Sequence, residues 1–217
     1  MPRESLAKRR LRAAALIDAL RATYPDAHCE LHYGNPLELL IATILSAQCT
    51  DKQVNVVTAG LFQRFRTAAD HADAPLSELE QAIRRLGLFR HKARNIQAAC
   101  RTLVAVHEGQ VPRDVEALTA LAGVGRKTAN VVLGNAFGIA SGVVVDTHVA
   151  RLSKRLRLSL EADPVKIEQD LVRLVPREHW TLFSHWLIWH GRRRCGARQP
   201  DCGGCEIARL CPSAPAP

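Results

Sequence analysis

The sequence predicts an all-α protein. Three observations carry that prediction. Apolar residues recur at three- and four-residue spacing through nearly every periodic segment. No segment alternates apolar and polar residues convincingly, as a half-buried strand would. Helix start signals recur along the chain. With 217 residues, 47% of them hydrophobic, there is material for a core in one compact domain or two small lobes.

The opening MPRESLAKRRLRAAALIDAL is basic, but its apolar run is short and broken by Asp18, which marks an amphipathic helix rather than a signal peptide. PLELLIATILSA is apolar nearly all round, so a helix over 36–48 is expected at the centre of the first lobe. A helix over 51–65 follows. Ser77 with Glu80 reads as a capping box for a helix over 77–86. Helices over 91–108, over 114–121 behind Asp114, and over 126–138 complete six in succession. ASGVVVD is too short for an independent strand and reads as a buried crossing between lobes, which puts the boundary at Gly138–Gly142. Three helices remain: 146–157, 163–174 opened by Asp163 and Pro164, and 177–191. The terminal PSAPAP reads as disordered. No stretch reaches the roughly 20 apolar residues that cross a bilayer. A soluble, cytoplasmic monomer with no membrane association is expected.

Thirty Lys and Arg against 21 Asp and Glu give a formal charge of +9, which favours a polyanionic partner such as nucleic acid. One stretch fits that partner. In LTALAGVGRKTA, Gly123 and Gly125 flank Val124 and permit a tight helix-to-helix turn in which backbone approaches a ligand. The next helix begins at once with Arg126, Lys127 and Thr128, and its free N–H groups form an anion site suited to a DNA phosphate. The pattern matches the hairpin of helix-hairpin-helix DNA-binding proteins. At Lys127 the positive end of the helix opposes a cation and favours the neutral, nucleophilic amine. Asp146 ends VVVD as a helix N-cap, a fixed carboxylate able to orient an amine or stabilise a developing cation.

Four of the seven cysteines form Cys195-x6-Cys202-x2-Cys205-x5-Cys211, a density that points to metal in a reducing compartment. Zinc and [4Fe–4S] both accept four thiolates. The paired Cys-x2-Cys knuckles of structural zinc sites are absent, so the spacing favours iron–sulfur and leaves zinc open. Cys29, Cys49 and Cys100 read as free core thiols. HGRRRCGAR adds Arg192, Arg193, Arg194 and Arg198, cations suited to a DNA backbone.

Together and in this order, the glycine hairpin with Lys127, the VDTH at 145–148 and the x6-x2-x5 spacing resemble the endonuclease III family, bifunctional DNA glycosylases of base excision repair. LLIATILSAQCTD and GLFRHKARNI are also similar to that family's segments, so the resemblance spans about residues 10 to 211. It implies a helix-hairpin-helix glycosylase fold. A six-helix barrel lobe would occupy 31–141, with the hairpin motif at about 114–138. A [4Fe–4S] lobe would combine 1–30 with 142–217, and DNA would lie in the cleft between the two. The implied partner is double-stranded DNA containing oxidised pyrimidines or abasic sites. Lys127 would attack the sugar of a flipped nucleotide and form a Schiff base, Asp146 would assist, and β-elimination would nick the strand.

The resemblance also places Gln48 and Leu88 where the family fills the space left by the flipped nucleotide. Gly123, Val124, Gly125, Arg126, Thr128, His148, Arg193, Arg194 and Arg198 would contact DNA. Cys195, Cys202, Cys205 and Cys211 would hold a structural cluster. The chain departs from the family's pattern in three places: Ala122 replaces a proline, Cys49 replaces a small residue, and 141–145 is one residue longer. Two alternative functions remain. An adenine glycosylase of the same superfamily lacks the lysine and carries a glutamate where Thr43 stands. The other is a non-catalytic helix-hairpin-helix DNA-binding protein.

Overall fold

The computed structural model describes residues 4–215; the last two residues of the PSAPAP tract lie outside the described residues. Among the described residues there are eleven α-helices, two 3-10 turns and no strand, with one isolated bridge between Cys195 and Pro200. The chain divides into two compact units: Cys29–Ile139, and a second in which the segment ending at His28 joins the chain from Ala140 onward.

The second unit begins with α1 (Leu6–Thr23), capped by Ser5. The unit Cys29–Ile139 then contains α2 (Pro36–Leu45), α3 (Asp51–Arg64), α4 (Ala68–Asp73), α5 (Leu76–Ile83), α6 (Phe89–His107), α7 (Val115–Thr119) and α8 (Arg126–Ala136). Its centre is α2, where eight of the ten residues are buried, as an all-round apolar sequence requires. Asn35 caps this helix by accepting from the Glu38 N–H at 3.0 Å, with Pro36 in the first turn. It ends at Leu45, short of the expected 48, because the backbone turns at Ser46 and Gln48 is left-handed.

The start of α5 differs from expectation. Ser77 makes no capping box: α5 begins one residue earlier, behind Pro75, with no side-chain cap bond, so Ser77 lies inside the first turn. The box occurs instead at Thr67, whose Oγ1 accepts from Asp70 N at 3.1 Å while Asp70 Oδ2 accepts from Thr67 N at 2.9 Å. The helix it opens, α4, has six residues, too short to show a period in the sequence.

The second unit continues with α9 (Thr147–Arg155), α10 (Pro164–Leu174) and α11 (Trp180–Arg193), the last behind a 3-10 turn at Arg177–His179 rather than starting at 177. Its core takes Leu16 and Leu20 from α1, Val149 and Leu152 from α9, Ile167 and Leu171 from α10, and Phe183 and Trp186 from α11. Each such side chain contributes about 1.5–3 kcal/mol through burial. Val143 and Val145 join this core without forming a strand, and Val144 N donates to Ser184 Oγ at 2.9 Å. Asp163 caps α10 through Lys166 N at 3.0 Å, as the Asp-Pro signal indicates.

Candidate functional site

The glycine hairpin joins α7 to α8. Asp114 caps α7 by accepting from Ala117 N at 2.7 Å, and Leu118, Leu121 and Val124 are buried. The turn closes with Val124 N donating to Leu121 O at 3.1 Å. Its two glycines serve different ends. Gly123 has φ +76°, and a Cβ there would stand 2.9 Å from the Asn95 Cβ on α6. Gly125 is extended, with no neighbouring atom within 4 Å of where a Cβ would be. As N-cap of α8 it offers no side chain to the helix N–H groups, and the first turn holds no acidic residue. Val124 is buried within the turn, Thr128 is half-buried, and Arg126 and Lys127 are exposed. The first turn of α8 therefore presents donors and cations to solvent.

Asp146 caps α9, with Oδ1 accepting from Val149 N at 2.8 Å, and is half-buried. Two residues along, His148 Nδ1 lies 3.2 Å from Arg151 Nη2. It packs so tightly against α11 that a Cβ on Gly191 would come within 3.0 Å of its ring. Burial pushes the His148 imidazole below its ordinary range, with the Asp146 carboxylate pulling the other way.

Gln48 and Leu88 share an unusual feature. Both are exposed, and both are non-glycine residues in the left-handed region, at φ 56° and 58°. That conformation costs on the order of 1 kcal/mol each and persists only where surroundings enforce it. Sequence reasoning missed Lys92, which links the two turns. It is buried, and its Nζ donates to Leu45 O at 2.8 Å and to Cys49 Sγ at 3.2 Å. Its own N–H donates to Leu88 O at 3.0 Å. One lysine thus ties the loop carrying Gln48 to the turn carrying Leu88. The signal was present, since Lys92 occupies the apolar stripe that continues through Ile96, Ala99 and Leu103. Cys49 is accordingly a loop thiol at this amine, not a helical one. Thr43 is buried on α2, its hydroxyl satisfied by donating from Oγ1 to Leu39 O at 2.7 Å.

The four clustered cysteines are half-buried, free of disulfides, and line one cavity of about 70 Å³ walled by Leu152, Leu156 and Ile207. Among the described residues no three His, Cys, Asp or Glu side chains are placed to hold a metal ion. The fit of a cluster rests on the cavity itself. A water needs about 10–15 Å³, so the space is several times that of one water, and four soft thiolates line it. Burial pushes the Cys205 thiol up, and the neighbouring Cys195 and Cys211 add to this. Burial alone pushes the isolated Cys100 up to about 12, which makes it an inert core thiol.

Arginines fasten the loop. Arg155 Nη1 donates to Cys195 Sγ at 3.0 Å and Gly196 O at 2.8 Å, and its Nη2 to Ala197 O at 2.8 Å. Arg151 Nη2 donates to Gly191 O at 2.9 Å and Cys195 O at 3.0 Å. Arg194, read in the sequence as a DNA contact, is engaged internally: Asp201 holds it at 2.6 Å and Glu206 at 2.7 Å. The Arg193 guanidinium lies 3.8 Å from the Trp189 ring centroid. Arg198 is exposed and has no hydrogen-bond or ion-pair partner among the described residues.

An all-helical fold with a glycine hairpin leading into a lysine, followed by an aspartate-capped helix and a cysteine loop, defines a class of DNA repair protein. The chain belongs to the HhH-GPD superfamily of base excision DNA repair proteins, which residues 41–177 match. Within it, the chain is 52% identical to endonuclease III of Synechocystis sp. over 97% of its own length and 96% of that protein's. A non-covalent endonuclease III–DNA complex and a trapped covalent endonuclease III–DNA intermediate are each similar, at 47% identity and TM-score 0.89. Each likeness covers 94% of this chain and 96% of the other.

Proposed function

We propose that this protein excises oxidised pyrimidines from duplex DNA through a Schiff base on Lys127 and then nicks the abasic strand. The observation that carries the reading is the exposed Lys127 in the first turn of an uncapped helix, directly behind a glycine hairpin. The hairpin N–H groups and Arg126 grip a phosphate, which holds the amine against the sugar. A base such as thymine glycol is flipped out because its glycosidic carbon is inaccessible within the stack. Leu88 wedges into the stack and Gln48 offers an amide to the orphaned base, both preset by their left-handed backbone.

The Lys127 amine forms a bond to the sugar C1′ as the glycosidic bond breaks, and the base departs with the electron pair and takes up a proton. Ring opening and loss of the remaining amine proton give the imine. Asp146 orients the amine and stabilises positive charge on the sugar. The imine acidifies C2′. Loss of that proton expels the 3′ phosphate, and water then releases Lys127. His148 and Arg198 extend the contact to the backbone, whereas Arg194 shapes the loop from within. Cys195, Cys202, Cys205 and Cys211 would hold a [4Fe–4S] cluster, which with four thiolates would supply a structural tie rather than chemistry at the sugar.

Incubation with thymine glycol duplex and borohydride is expected to trap a covalent adduct that Lys127→Gln cannot form. Failure to trap it would sink the mechanism. Elemental analysis is expected to find iron, and one zinc per chain without iron would overturn the cluster.

A further inference from the structure

Apart from the hairpin and the cysteine cavity, the unit containing α1 carries a groove of about 950 Å³. It runs among the start of α1, the α9–α10 connection, the second half of α10 and the Ala208–Leu210 turn. Arg9, Arg12, Arg157, Arg173 and Arg209 line it, against three carboxylates from Glu4, Glu161 and Asp170.

Two of those carboxylates already have partners. Arg12 holds Glu4 through two bonds of 2.6 and 3.2 Å, and Asp170 Oδ2 accepts from Ser159 Oγ at 2.6 Å. Three of the other arginines are open, whereas Arg9 Nη1 donates to Leu158 O at 3.4 Å. Among the described residues, the guanidinium groups of Arg157, Arg173 and Arg209 have no hydrogen-bond or ion-pair partner. Arg9 Nε is buried with its hydrogen unclaimed. Arg157 is itself left-handed, at φ 49°. The groove also carries apolar side chains, with Leu6 45% and Leu160 66% exposed, and Leu210 and Pro212 beside them.

We propose that this groove docks an acidic peptide segment of a partner protein, its carboxylates on Arg157, Arg173 and Arg209 and its apolar side chains on Leu6 and Leu160. Guanidinium forks match carboxylates in paired geometry. A DNA backbone has no use for the exposed leucines of the groove. A nucleobase needs a flat aromatic face to stack on, and no aromatic side chain lines the groove. The volume lies within the range of ligand-binding clefts, roughly 300–1,000 Å³. Each exposed ion pair contributes little alone, so micromolar, salt-sensitive binding is expected. This inference is independent of the chemistry assigned to Lys127.

Fluorescence anisotropy of the full chain with a fluorescein-labelled peptide of alternating aspartate and leucine tests it. Saturable binding is expected, weakened about tenfold or more by Arg173→Glu with Arg209→Glu. Leu160→Ser and a serine-for-leucine peptide should each weaken it as well. Both protein variants change exposed groups and should keep the wild-type melting temperature and the borohydride adduct. Four results overturn the proposal: no saturation, equal binding by the charge-reversed variant, equal binding of the serine peptide, or full displacement of the probe by a short undamaged duplex, which would make the groove a DNA surface.

Discussion

The hairpin at Gly123–Thr128 and the cysteine loop at Cys195–Cys211 are both short, glycine-bearing segments, yet they treat their polar groups in opposite ways. In the hairpin, α8 has no capping side chain, Lys127 is exposed, and open space faces Gly125. In the cysteine loop, Arg155, Arg151 and Arg194 between them satisfy backbone carbonyls, a thiol and two carboxylates. Gly204 is hemmed in there, since a Cβ would lie 3.0 Å from Asp201 Oδ2. One segment leaves its helix start uncapped and Lys127 exposed, whereas the other consumes its polar groups to hold its shape. Charge count alone therefore misleads, because Arg194 and Lys127 are both basic and only Lys127 is available.

The largest expected effect tests the open side. Lys127→Arg keeps a cation at the start of α8 but cannot form an imine, so trapping should fall by on the order of 10³-fold or more while DNA affinity changes little. If affinity collapsed as well, Lys127 would be a phosphate clamp rather than a nucleophile. Acid tests the scaffold of the closed side. Burial, with the charges of His28 and Arg192 adding to it, pushes His185 on α11 down to about 4. The folded value lies below the ordinary 6.5, so this contribution is intact above pH 6.5 and is lost as pH falls toward 4. The loss amounts to up to ~3 kcal/mol. All three tryptophans lie on α11, so denaturant unfolding followed by their fluorescence reads this unit. Equal stability at pH 7 and pH 5 would refute the assignment.

Arg155→Ala addresses the closed loop itself. It strips donors from three carbonyls and a thiol, at a cost of about 2 kcal/mol, or a melting temperature lower by roughly 4–8 °C. Arg155→Lys should restore little, because one ammonium cannot span the same acceptors. A full rescue by lysine would show that charge near Cys195, rather than the fork, holds the loop.

The sequence made the helical class, the α2 core and the caps at Asp114, Asp146 and Asp163 legible, because each rests on periodicity or on a side chain three residues from its partner. What it concealed was non-local. The capping box belonged to Thr67 rather than Ser77 because Pro75 starts α5 early. Lys92 stood out of its stripe as a charge, but only folding brings it to Leu45 and Cys49 across more than forty residues. Arg194 looked like its neighbours in HGRRRC until Asp201 and Glu206 folded back on it. Composition reports how many charges exist, and tertiary structure decides which are free.

The smallest effects come from the two glycines, and they separate shape from access within the hairpin. Gly123→Ala forces a side chain into φ +76° and against Asn95, so it should destabilise by about 1–2 kcal/mol and weaken DNA binding only through that loss. Gly125→Ala meets neither strain nor neighbours, and stability should stay within about 0.5 kcal/mol. Its methyl group would nonetheless stand where a phosphate approaches the α8 N–H groups, and affinity for an abasic duplex should fall about fivefold. If Gly125→Ala bound DNA as tightly as wild type, the open face of α8 would not be the phosphate site, and Lys127 would have to be positioned by some other contact.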